Sequence, residues 1–134
     1  MAAFRIPVRV YYQDTDAGGV VYHAQYLSFM ERARTELLNA RGFYLARFAG
    51  EERILFMVHG IVVRYHRPAM LNDLLEVTAE VGSLGPASLT FRQRVERGND
   101  LLVEGEVRLA LVDQTRLRPV RMPVSLKRLL EKNE

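Results

Sequence analysis

One stretch of helical periodicity dominates this chain. Over residues 23–41, Tyr26, Met30, Ala33, Leu37 and Ala40 recur at steps of four and three, with Phe29 and Leu38 beside them. Gln25, Glu31, Arg32, Thr35, Glu36 and Asn39 supply the polar faces, and Gly42 is suited to stop the helix. Nearly everything else reads as strand. Residues 5–12 alternate Ile6, Val8, Val10 and Tyr12 with Arg5, Arg9 and Tyr11. Residues 54–66 are rich in β-branched and aromatic side chains and end before Pro68. Residues 74–82, 88–96 and 101–112 each alternate, and Gly98-Asn99-Asp100 marks a hairpin turn. Residues 43–52 carry no regular pattern, and a short amphipathic helix is expected after Pro123.

One large helix and five strands joined by short turns leave few solutions. Short turns favour antiparallel pairing, which makes the domain α+β: a five-stranded antiparallel sheet curved around one long helix of roughly five turns. A single helix covers one sheet face. A half-covered sheet with aromatic and aliphatic positions usually finds a partner, so a homo-oligomer is expected.

The chain of 134 residues reads as one domain spanning 1–134. With 49% hydrophobic residues and a net charge of +3, it is not a disordered sequence. The absence of cysteine excludes a disulfide scaffold, a thiolate zinc site and a cysteine nucleophile. No apolar run approaches the roughly 20 residues that span a bilayer. The first residues lack the apolar core of a signal peptide, so a soluble cytoplasmic protein is expected. Acidic and basic residues intersperse, which does not suggest a nucleic-acid partner. The exception is the basic C-terminal group Arg116, Arg118, Arg121, Lys127 and Arg128. It is either a solvated tail or a place for a phosphate-bearing ligand.

The permitted chemistry is narrow. There is no G-x-S-x-G elbow, no pair of histidines at metal-ligand spacing, no G-x-G-x-x-G and no Walker loop. No metal is expected. His59 and His66 sit in strand-like contexts suited to structural or surface roles. The distinctive segment is Asp14-Thr-Asp16-Ala-Gly18-Gly19-Val-Val-Tyr22-His23, immediately before the long helix. A helix N-terminus offers unpaired N–H groups and the positive end of a dipole. Beside an ionised carboxylate it can polarise a carbonyl while the carboxylate attacks or activates water. Two carboxylates and two glycines before a helix are also the makings of a plain turn and N-cap.

The stretch VRVYYQDTDAGGVVYHAQYLSFMERARTELL resembles the N-terminal signature of the 4-hydroxybenzoyl-CoA thioesterase family of hotdog-fold proteins. It is most similar to the acyl-CoA thioesterases of the branch associated with the bacterial Tol–Pal envelope system. The likeness continues through VVRYHRPAMLNDLLEV and then weakly, by strand pattern, to about residue 115. The resemblance implies hydrolysis of an acyl-CoA thioester without metal or cofactor, CoA being part of the substrate. It implies Asp16 as the catalytic carboxylate and the backbone amide of His23 as oxyanion donor. It gives Asp14 a part in the loop or the chemistry, has Gly18 and Gly19 shape the loop, and brings Tyr22 to the acyl site, with Tyr26 either there or packed in the core. Glu31 takes a recognition or structural role, or pairs with Arg34 on the helix surface. Arg64, His66 and Arg67, or the C-terminal arginines, are candidates for the CoA phosphates. Asn72 stands where the family usually has aspartate. A dimer is the implied active unit, often paired into tetramers. Two alternatives stay open: a hotdog dehydratase or isomerase, and a non-catalytic protein that binds acyl-carrier protein or lipid-synthesis enzymes.

Overall fold

A computed structural model describes residues 3–131. The chain runs β1 (Phe4–Arg9), α1 (Gln25–Ala40), α2 (Leu45–Glu51), β2 (Ile54–Tyr65), β3 (Leu74–Leu84), β4 (Ser88–Arg97), β5 (Asp100–Asp113) and α3 (Val124–Leu130). All five strands pair antiparallel in the order β1-β3-β4-β5-β2. This is the hotdog arrangement: α1 lies against the inner face of β1, β3 and β4.

The helix forms where its apolar stripe predicts. Tyr26, Phe29, Met30, Ala33, Leu37 and Leu38 are buried, spaced to face the sheet on successive turns. Burying each of the large ones contributes roughly 1.5–3 kcal/mol. At the far end, Gly42 adopts φ +82°. Its N–H bonds the Asn39 carbonyl and the Phe43 N–H bonds the Leu38 carbonyl, which closes the last turn. One polar group interrupts the stripe. Arg34 donates through Nη1 to Gln93 Oε1 at 2.9 Å, and Gln93 Nε2 donates to the carbonyls of Met30 and Thr78. This buried network stitches α1 to β3 and β4, and burial pulls the Arg34 pKa down.

The structure departs from the sequence expectation in four places. β1 stops at Arg9; Val10 is fully buried, but its N–H and C=O bond the Asp73 carbonyl and the Asn72 N–H. Tyr12 does not continue that face. It opens a 3-10 turn (Tyr12–Asp14) and is 81% exposed. The irregular stretch contains the short helix α2, where Phe48 is buried against Phe43 and Phe56 at ring separations of 4.7 and 5.8 Å. Helix α1 has 16 residues, about half a turn short of five turns. Finally, the outer sheet face is ionic. It carries the pairs Arg5–Glu76, Arg92–Glu80, Arg94–Glu96 and Arg108–Glu106. Exposed apolar side chains gather instead on the edge strand β2, at Met57, Val58, Ile61 and Val62.

β2 also carries an irregularity at His59. Its register with β5 shifts between Val58 and Gly60. Before the shift Phe56 faces the core; after it, Ile61, Val63 and Tyr65 oppose the inward Val107, Gly105 and Val103. A bulge of this kind swaps which residues point inward.

Candidate active site

The loop before α1 is a tight hairpin. Tyr22 N–H bonds the Asp14 carbonyl, Thr15 bridges Val21, and Asp16 N–H bonds the Val20 carbonyl. The tip closes with Gly19 N–H on the Asp16 carbonyl, and Gly19 takes φ +79°, a conformation glycine adopts without penalty. Asp16 Oδ1 accepts the Gly18 N–H at 2.9 Å, an Asx-type turn that orients its carboxylate. A side chain at Gly18 would start 3.4 Å from that same oxygen.

The two aspartates have different surroundings. Asp14 is 3% exposed, and its carboxylate accepts the Tyr11 N–H at 2.8 Å and the Gln25 side-chain amide at 3.0 Å. It pins the loop to the first residue of α1. Asp16 is exposed, with the second oxygen of its carboxylate free of protein partners among the described residues.

The helix start is open as well. Ala24 is the N-cap residue and has no side-chain cap. Among the described residues, the N–H groups of His23 and Ala24 donate to no acceptor, and both residues are exposed. The positive dipole end is therefore presented to solvent. The His23 ring lies 4.4 Å from the half-exposed Tyr22 ring. Tyr26 is 2% exposed and belongs to the core. Its hydroxyl oxygen accepts the Ala69 N–H at 2.9 Å, and burial raises its pKa.

A second segment, residues 66–73, straps this loop in place. Val21 N–H bonds the Ala69 carbonyl, Val20 bridges Met70, and Leu71 N–H bonds the Gly19 carbonyl. The strap is fixed by Asp73, whose Oδ2 accepts the Met70 N–H and pairs with Arg97 at 2.8 Å. Burial pushes the Asp73 pKa up, but the Met70 N–H and Arg97 outweigh it and hold the pKa below the usual range. Asn72 sits at φ +73°, where asparagine and aspartate are the side chains best tolerated. Asparagine therefore fits this turn without added strain.

Beyond the helix start, a groove of about 190 Å³ runs between α1 and the β2 edge, lined by Leu27, Ser28, Glu31, Arg34, Val58 and Ile61. Glu31 is exposed there. The phosphate candidates lie elsewhere. His66 pairs with Glu104 at 2.7 Å and Arg67 with Asp100 at 3.4 Å. Arg64 lines a shallow outer-face depression with Arg92, Arg94, Glu80, Glu104 and Glu106. The C-terminal Arg116, Arg118, Arg121, Lys127 and Arg128 are exposed. Tyr65, absent from the residues expected at the site, also reaches the loop. Its hydroxyl donates to the His23 carbonyl at 2.7 Å, and no local pattern in the sequence marks that contact.

A sheet wrapped on one helix, with a carboxylate loop at an open helix N-terminus, defines a hotdog thioesterase. Residues 18–104 match the Thioesterase superfamily, and the chain belongs to it. It is 48% identical over 124 residues to an Escherichia coli protein named acyl-CoA thioester hydrolase YbgC, covering 92% of each chain. A Haemophilus influenzae protein named acyl-CoA thioesterase YbgC is 44% identical, covering 92% of this chain and 91% of its own. Among solved structures, one described as "Probable Thioesterase from Bartonella henselae" superposes with a TM-score of 0.86 at 36% identity, covering 91% of this chain and all of that one.

Proposed function

We propose that this chain hydrolyses acyl-CoA thioesters to a free acid and CoA, with the reacting carbonyl held at the start of α1. The observation that carries the site assignment is the pairing of an exposed, oriented carboxylate (Asp16) with an uncapped helix whose His23 and Ala24 N–H groups are open. The activity is supported by kinship with the acyl-CoA thioesterases above. The thioester oxygen accepts the His23 N–H, which stabilises the oxyanion that develops on attack. Asp16 acts on the other side of the carbonyl, either adding directly or taking a proton from water. The chemistry uses no metal and no cofactor. The His23 ring takes no part. Asp14 and the two glycines hold the loop, Tyr22 flanks the site, Tyr26 supports it from the core, and the acyl group runs along the Leu27–Arg34 groove past Glu31.

The active unit in this reading is a dimer joined through β2, whose exposed apolar residues and unpaired edge suit a second copy. Pairing into tetramers and association with the Tol–Pal system rest on the resemblance described above, and cytoplasmic location on the absence of a signal-peptide pattern in the first residues. Arg64, His66, Arg67 and the basic C-terminal group are the candidates for holding the CoA phosphates.

The test is thiol release from a panel of short aliphatic, long aliphatic and aromatic acyl-CoAs, followed by pull-down with acyl-carrier protein. Turnover of at least one thioester is expected. No release from any, with capture of acyl-carrier protein, replaces hydrolysis by the binding alternative.

A further inference from the structure

We infer that Tyr65 is a positioning residue for thioester hydrolysis: it clamps the His23–Ala24 peptide at the start of α1 and so aims the Ala24 amide, the open donor next to the His23 amide that receives the reacting carbonyl. This rests on the site reading above, in which the carbonyl sits at the helix N-terminus.

The bulge at His59 makes the contact possible. Without the register shift after Val58, the inward set of β2 would continue through the even positions, and Arg64 rather than Tyr65 would face the helix. With it, Tyr65 is the last inward residue of the edge strand, opposite Val103. Its ring packs edge-on against Tyr26 at 5.7 Å, and Tyr26 is held in turn by the Ala69 N–H. The Tyr65 hydroxyl then reaches the His23 carbonyl at 2.7 Å.

That carbonyl is outside the helix ladder. The Gln25 N–H goes to the Tyr22 carbonyl and the Leu27 N–H to the Ala24 carbonyl, so Tyr65 is the donor that satisfies His23. A trans peptide is planar, with its C=O and N–H pointing opposite ways. Holding the His23 carbonyl toward β2 therefore turns the Ala24 N–H away from β2; the His23 N–H belongs to the preceding peptide, whose Tyr22 carbonyl is held by the Gln25 N–H. A fixed donor direction is what an oxyanion site needs, because donors that must reorient during reaction lose their advantage. Tyr65 itself touches neither thioester nor nucleophile in this arrangement.

Tyr65→Phe keeps the ring and its contact with Tyr26 and removes only the donor. The expected result is a kcat about tenfold lower with KM changed by less than about twofold, and a thermal midpoint close to that of the parent. Asp16→Ala, assayed alongside, separates the two layers of the account. If Tyr65→Phe turns over at the parental kcat, or raises KM alone, while Asp16→Ala is inactive, the positioning role is overturned and the site stands. If both variants match the parent, the site reading falls and the Tyr65 role falls with it.

Discussion

Asp14 and Gln25 are joined side chain to side chain at 3.0 Å. The buried carboxylate of the first aspartate thus ties the loop to the first residue of α1, and leaves the second aspartate, two residues on, free to face solvent. Burial separates the two aspartates of the D-x-D pair.

Removing that tie costs stability as well as rate. Asp14→Ala leaves the Tyr11 N–H and the Gln25 amide without their acceptor, so unfolding free energy falls by about 1–3 kcal/mol. Urea unfolding measures it, and Gln25→Ala is expected to lose less. Turnover of folded Asp14→Ala also falls, because the loop that presents Asp16 loses its anchor. An Asp14→Ala protein as stable as the parent contradicts the anchoring role.

Acid tests the strap. Asp73 has a folded pKa below its unfolded value of about 3.9. Its contribution is therefore fully present above the unfolded value and is lost as pH falls through the lower folded value. Urea unfolding between about pH 6 and pH 2 is expected to show a stability loss on the acid side that shrinks in Arg97→Gln, whose charge helps hold Asp73 ionised. An identical acid limb in the variant excludes this pair as a contributor.

In the proposed dimer, the β2 edge forms the seam. Ile61→Lys combined with Val62→Lys places charge on both faces of the exposed edge. Sedimentation is expected to show the parent as a multiple of the subunit mass and the variant as a single subunit with reduced turnover. A parent that sediments as a single subunit, or a variant that keeps the parental mass, removes β2 as the interface.

Much of this architecture is legible in the residues, because period and burial coincide. The stripe Tyr26–Met30–Ala33–Leu37 buries as its spacing requires, and the alternation of β3, β4 and β5 holds except at register shifts after Val81 and between Val95 and Glu96, where fully buried Leu102 takes the inward place expected of Leu101. What escaped is non-local. Tyr12 keeps the strand parity but leaves the sheet, because Val10 bonds the turn at Asn72 and Asp73 instead of a neighbouring strand. The short helix α2 lacks enough turns to show a period, yet Phe48 is anchored by Phe43 and Phe56. In the site, the two motifs read as separate signals, while their backbone bonds make one unit of residues 14–22 and 69–73. The Tyr65–His23 bond joins residues 42 apart and depends on a bulge whose local sign is Gly60 inside the strand.

The most direct test of the account is the rate of thiol release by Asp16→Ala on the acyl-CoA that the parent hydrolyses best. Asp16 is exposed, and among the described residues its carboxylate binds only the Gly18 N–H of its own turn, so the variant is expected to stay folded. The account predicts a loss of at least about 10²-fold in kcat at an unchanged circular-dichroism spectrum. A folded Asp16→Ala protein with parental turnover contradicts it.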